Sequence, residues 1–186
     1  YMGEFKIGRR VGKGTFTWHN GDVYTGLWLN DCMCGAGSYA HASGDRYTGE
    51  FSADVPHGEG TFAWKDGSTY NGRWKDGLRH GSGLCLWKDG SSYQGAWERG
   101  SRHGAGTQTH ASGARYEGEW RNDKRHGRGR HSQRHPRRFS AQSQKHFARA
   151  RFLRVKPPRR FDPFHHFQRR RCSSFFHGGH QSGRRR

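Results

Sequence analysis

The sequence predicts an all-β fold, an elongated twisted antiparallel ribbon of tandem β-hairpins followed by a disordered basic tail, on three observations. Tyrosines recur every 23 residues, at Tyr1, Tyr24, Tyr47, Tyr70, Tyr93 and Tyr116. Each opens an alternating stretch that is followed by a Gly-x-Gly pair and a second alternating stretch. Past Gly129 this pattern stops and the composition changes abruptly.

The fixed period marks a repeat architecture, in which one unit cannot bury a core alone and neighbours supply the rest of it. Within a unit, glycine lies two residues after the tyrosine (Gly3, Gly26, Gly49, Gly72, Gly95, Gly118) and an aromatic lies four after (Phe5, Trp28, Phe51, Trp74, Trp97, Trp120). Successive strand side chains point to opposite faces, so tyrosine, glycine and tryptophan share one face, and glycine leaves a gap in which the flanking rings can lie. This is the first strand. The pairs Gly12/Gly14, Gly35/Gly37, Gly58/Gly60, Gly81/Gly83, Gly104/Gly106 and Gly127/Gly129 lead into a second strand, written "TFTW", "TFAW" and "LCLW" in three units.

The spacing predicts a loop such as "KDGLRHG" between the two strands of a unit, and a shorter link such as "KDGSS" between units. Asn20-Gly21, Asp66-Gly67 and Asp89-Gly90 are turn dipeptides that favour positive φ. Six hairpins give about twelve strands at ~4.8 Å spacing, a ribbon on the order of 55 Å long. In a one-dimensional array of this kind the ends fray, and the middle units around Tyr47 to Tyr93 are the firmest.

The organisation is therefore an array over residues 1–129, with units starting at 1, 24, 47, 70, 93 and 116, and a tail over 130–186. Up to Gly129 there are 17 Lys+Arg against 14 Asp+Glu; beyond it 17 basic residues face one acid, Asp162. All seven tryptophans and all seven tyrosines precede the boundary. The tail has no periodicity and too little apolar surface to offset chain entropy, which reads as disorder. The loss of acids within a few residues is also what a shifted reading frame would produce. Tyr1 already stands inside a repeat, so the chain reads as a fragment. Cys32, Cys34, Cys85 and Cys172 show no disulfide framework and read as reduced thiols of a cytosolic chain.

The residues "YTGLW", "YTGEF", "YNGRW", "YQGAW" and "YEGEW", each followed by Gly-x-Gly that reads His-Gly-x-Gly in the last four units, resemble the MORN repeat (membrane occupation and recognition nexus). Val11 and Cys34 depart from the histidine, and Gln108 and His110 from the apolar strand positions. The resemblance implies a non-enzymatic module: an elongated scaffold of cytoskeletal, ciliary or membrane-contact proteins, sometimes fused to enzymes such as phosphatidylinositol phosphate kinases. Association with phosphoinositides and anionic membranes is a further implication.

Tests for chemistry in the residues themselves point the same way. His57, His80, His103 and His126 recur one repeat apart, hence two strands and ~10 Å apart, too far to share a zinc whose ligands lie at ~2.0–2.1 Å. A turn-stabilising histidine bonded to backbone is the expectation for them. "GRRVGKGT" lacks the spacing of a phosphate loop, because three residues separate Gly8 from Gly12 and Gly14 follows Lys13. No nucleophile, paired-carboxylate, cofactor or metal arrangement stands out, so no catalytic, cofactor-binding or metal residue is expected.

Two surfaces remain as binding candidates. Tyr24, Trp28, Tyr47, Phe51, Tyr70, Trp74, Tyr93, Trp97, Tyr116 and Trp120 form an aromatic face, read either as a partner groove or as intramolecular ring packing. In the tail, Arg137, Arg138, Arg159, Arg160, Arg169, Arg170 and Arg171 suit an anionic surface, each basic residue contributing ~1 kcal/mol near an anionic membrane. The same charge would hold nucleic acid without sequence preference. The sequence thus leads to a scaffold with a protein partner, with an anionic or phosphoinositide-containing membrane and self-association as further partners. The expected location is cytoplasmic, at cytoskeleton, cilium or membrane periphery. The competing readings are a lipid-binding module and the regulatory repeats of a longer enzyme.

Overall fold

The computed structural model describes residues 1–133. Twelve strands follow one another in space in sequence order and form a single antiparallel sheet. They are β1 Met2–Lys6, β2 Arg9–Thr17, β3 Val23–Leu29, β4 Cys32–Ala40, β5 Arg46–Ser52, β6 Val55–Ala63, β7 Thr69–Lys75, β8 Leu78–Leu86, β9 Ser92–Glu98, β10 Ser101–Thr109, β11 Arg115–Arg121 and β12 Lys124–Ser132. Each 23-residue unit is one hairpin, as the alternation requires. The last strand runs three residues past Gly129.

The two connections have the opposite lengths to those the sequence suggests. Within a unit the strands join through two residues, both at positive φ: Ile7-Gly8, Asn30-Asp31, Ala53-Asp54, Asp76-Gly77, Arg99-Gly100 and Asn122-Asp123. These are type I′ turns, whose twist matches that of the flanking strands. Between units the link is longer. Trp18 N–H donates to the Asp22 carbonyl (2.9 Å) and Gly21 N–H to the Trp18 carbonyl (2.9 Å), a type I turn closed by a glycine in the left-handed region. Gly21, Gly44, Gly67, Gly90 and Gly113 hold that place with φ between 81° and 103°.

The Gly-x-Gly pair lies inside the second strand. Between β3 and β4 the register steps from Gly26↔Gly37 to Leu27↔Cys34, so Gly35 and Ala36 form a bulge, and Gly35 has φ of 54°. The second glycine answers a different demand. A Cβ on Gly60 would lie 2.2 Å from the Tyr47 hydroxyl, because the tyrosine lies flat across the Gly49–Gly60 pair instead of standing off the sheet. That is how an open single-layer sheet buries a ring completely: Tyr24, Tyr47, Tyr70 and Tyr93 are 0% exposed.

His57, His80, His103 and His126 sit in β6, β8, β10 and β12, not in turns. No hydrogen bond from them to backbone is formed; His103 Nδ1 instead faces Glu98 Oε2 at 3.4 Å. Cys34 and Cys85 are free thiols, as the sequence reading expects of them. The tail residues Arg137, Arg138, Arg159, Arg160, Arg169, Arg170 and Arg171 lie outside the described residues.

Candidate functional site: the inner face and its open edge

The ten aromatic-face residues are all packed within the sheet's inner face, none more than 4% exposed. They form one continuous chain of edge-to-face contacts. Within a unit Tyr24 meets Trp28 (5.1 Å between centroids), Tyr47 meets Phe51 (5.0 Å) and Tyr70 meets Trp74 (5.2 Å). Between units Tyr24 meets Phe51 (5.0 Å), Tyr47 meets Trp74, Tyr70 meets Trp97 and Tyr93 meets Trp120 (each 5.3 Å). Such pairs contribute about 0.5–1.5 kcal/mol each beyond the area they bury.

Polar handles on the rings fix the register. Each tyrosine hydroxyl donates to the carbonyl three residues on, as Tyr70 does to Arg73 at 3.0 Å. Each indole N–H donates to the second glycine of the preceding unit: Trp28 to Gly14 (3.2 Å), Trp74 to Gly60 (3.1 Å), Trp97 to Gly83 (3.3 Å) and Trp120 to Gly106 (3.2 Å). Phe51 fills the same place in the third unit and has no N–H to give. The Tyr93 hydroxyl, desolvated by burial, has its pKa pushed up to about 12.

Over this spine runs a column that the sequence reading did not pick out. The second residue of each second strand is Arg10, Met33, Pro56, Arg79, Arg102 and Arg125. Arg10, Arg79 and Arg102 lay their guanidinium groups over the tryptophan of the following unit, Cζ standing 4.2, 4.2 and 4.3 Å from the ring centres of Trp28, Trp97 and Trp120. Arg10 and Arg102 are also held by the next turn. Arg102 Nε lies 3.1 Å from Asp123 Oδ1, and its Nη2 donates to the Asp123 carbonyl at 3.0 Å. Arg79 meets Gly100 in place of an aspartate and donates Nη2 to that carbonyl at 2.7 Å. Burial without a carboxylate beside it lowers the Arg79 pKa from the usual guanidinium value.

The outer face is polar. Thr15 and Thr25 hydroxyls meet at 3.0 Å, Asn71 Nδ2 donates to Thr61 at 2.7 Å, and Arg73 Nε pairs with Glu59 at 2.8 Å across a unit boundary. Among the described residues no cluster of three His, Cys, Asp or Glu is placed to hold a metal ion.

The spine ends at β12, whose nine residues are all exposed. There Tyr116, Arg125, His126, Gly127, Gly129 and His131 line a cleft of about 390 Å³. Arg125 Cζ stands 4.7 Å from the Tyr116 ring, and its Nη2 reaches His110 Nε2 at 3.1 Å.

A family model of the MORN repeat matches residues 1–23, 24–46, 47–69, 70–92, 93–115 and 116–132 in succession. No curated protein matches the sequence significantly.

Proposed function

The chain belongs to the MORN repeat family, a non-catalytic type of repeat that serves protein and membrane interaction, and from that premise we propose that it is a non-enzymatic scaffold that binds a protein partner along its sheet. The observation that carries the proposal is the division of labour on the inner face. The spine rings spend themselves on each other, and over them lies a column at steps of one repeat in which Arg10, Arg79 and Arg102 are half-buried and Arg125 is exposed, interrupted in the second and third units by the buried Met33 and Pro56. Positive charge at fixed spacing beside apolar positions suits an extended acidic or amphipathic polypeptide.

Membrane association is a second reading, favoured by the 17 basic residues against one acid beyond Gly129. Clustered basic residues attract anionic headgroups without choosing among them. The corresponding locations are cytoplasmic, at the cytoskeleton or the membrane periphery.

Co-sedimentation of the whole chain with neutral, phosphatidylserine and phosphoinositide vesicles at two salt concentrations tests the assignment. We expect salt-sensitive binding to either anionic lipid, lost when Arg137, Arg138, Arg159, Arg160, Arg169, Arg170 and Arg171 become glutamine. Phosphoinositide-selective binding that survives those changes and disappears in Arg79→Gln/Arg102→Gln would place lipid recognition in the array and contradict the scaffold reading.

A further inference from the structure

The same interface is built five times between consecutive units, and its receiving half is present a sixth time at β12. At each internal boundary the first bulge glycine pairs with the incoming aromatic: Gly12↔Trp28, Gly35↔Phe51, Gly58↔Trp74, Gly81↔Trp97 and Gly104↔Trp120. In every one the incoming ring stacks edge-on against the preceding tyrosine. Where it is an indole it donates to the second glycine's carbonyl. At the end of the array Gly127 has the same left-handed φ, 56°, and Tyr116, Arg125 and Gly129 occupy the places that Tyr93, Arg102 and Gly106 hold around Trp120. Among the described residues no indole reaches Gly129.

The sequence that follows does not supply the missing half. Phe139 falls 23 residues after Tyr116, but Ala141 and Ser143 stand where the first strand needs glycine and tryptophan. Pro136 stands where the five links have a glycine with φ between 81° and 103°. Proline favours φ near −65°, whereas those five glycines are all at positive φ.

One of the five boundaries carries an ion pair on the outer face, and the corresponding places in β12 are positively charged. Glu59 in β6 pairs with Arg73, the residue before Trp74 in the incoming strand. Its counterpart two places before the end of the β12 glycine-arginine run is Arg128, and Arg130 follows two residues on; both are exposed. An acid before the tryptophan and another before the glycine would meet them.

We propose that the edge of β12 is a docking site for a segment of another protein that reads aromatic-acid-Gly-acid-Trp, bound by strand addition with its indole in the cleft beneath Arg125 and its N–H on the Gly129 carbonyl. Backbone pairing along the edge supplies affinity; the cleft and the two arginines supply selection. This rests on the reading of the array as a protein-binding scaffold and names one of its partners' chemistry.

The probe is a fluorescein-labelled peptide of the sequence Arg-Tyr-Glu-Gly-Glu-Trp-Arg, titrated with the whole chain by fluorescence polarisation. Replacing its tryptophan with alanine is expected to weaken binding at least tenfold, and replacing both glutamates with lysine at least fivefold. The chain variant Arg128→Glu/Arg130→Glu, altered only at exposed positions, is expected to reject the parent peptide and to bind the lysine peptide. An alanine peptide within twofold of the parent, or failure of the charge exchange, overturns the proposal. So does concentration-dependent self-association of the chain that the parent peptide, which has the sequence of β11, competes away, because that would assign the edge to a second copy. The peptide assay reads the β12 edge alone and the vesicle assay reads the array surface and the tail, so failure of the sheet-surface reading and failure of this site are separately visible.

Discussion

β10, "SRHGAGTQT", and β12, "KRHGRGRHS", occupy the same place in consecutive units, yet the first is half-buried along most of its length and the second is exposed throughout. Their own residues do not make the difference. β10 receives β11, whose Trp120 passes beneath Arg102 and donates to Gly106; no described strand does this for β12. Stability in this molecule is thus a property of boundaries between units: β12 lacks a follower, β1 lacks a predecessor, and both strands are exposed throughout.

The sharpest way to break the comparison is to remove a ring at an inner boundary and at the outermost one. Trp74→Ala should cost about 3–5 kcal/mol, the range for truncating a large buried aromatic. Trp120→Ala should cost measurably less, because the sixth hairpin can detach while the rest stays folded. Urea unfolding followed by circular dichroism separates them, and equal costs would contradict the account.

Next in size is a single methyl group. A Cβ on Gly83 would lie 2.4 Å from the Tyr70 hydroxyl, which is enclosed on both sides, so Gly83→Ala should destabilise by about 1–3 kcal/mol. On Gly129 it would meet Tyr116 as closely, at 2.5 Å, but that ring borders the open cleft and can move. The same change there should cost less in the same unfolding measurement.

The arginine column gives a comparison of opposite signs. Arg102→Met strands Asp123 and should destabilise modestly, whereas Arg79→Met removes a buried cation with no carboxylate partner and should be neutral or stabilising by about 1 kcal/mol. Met33 already fills that position in the second unit. Thermal unfolding of both variants checks the signs.

The smallest effect is in acid. Burial opposes ionisation of Asp22, but bonds from the Tyr39 hydroxyl (2.6 Å), Ala42 N–H (2.9 Å) and Asn20 Nδ2 (2.8 Å) hold its carboxyl below the ordinary aspartate value. A folded pKa below the unfolded one means that its stabilisation is fully present above about pH 4 and is lost as pH falls through the folded value. Asp22→Ala should therefore lower Tm at pH 7 and flatten the decline of Tm below pH 4.

Much of this fold could be read from the columns of tyrosine, glycine and tryptophan, because period-two alternation and a fixed repeat dictate strands and stacking directly. The turns could not be assigned so well. Ile7-Gly8, Ala53-Asp54 and Arg99-Gly100 carry none of the usual dipeptide signatures of a type I′ turn, while Asn20-Gly21 and Asp66-Gly67 carry such a signature and serve the longer link. The histidines then appeared to belong to a loop that does not exist. The arginine column was visible as Arg79, Arg102 and Arg125 at the repeat spacing, but its partner ring lies 18 residues ahead in the next unit, as Trp97 does for Arg79, and Met33 and Pro56 interrupt it. The cleft at β12 was legible only as the absence of a follower; its shape required the five filled examples.

Amide hydrogen exchange read strand by strand on the whole chain tests the boundary account most directly. It predicts protection that is highest in β5 to β9, falls towards both ends, and is lowest in the edge strands β1 and β12, with that of β12 rising when the Trp-bearing peptide is added. Uniform protection across the twelve strands, or a β12 as slow to exchange as β10 in the unliganded chain, would contradict it.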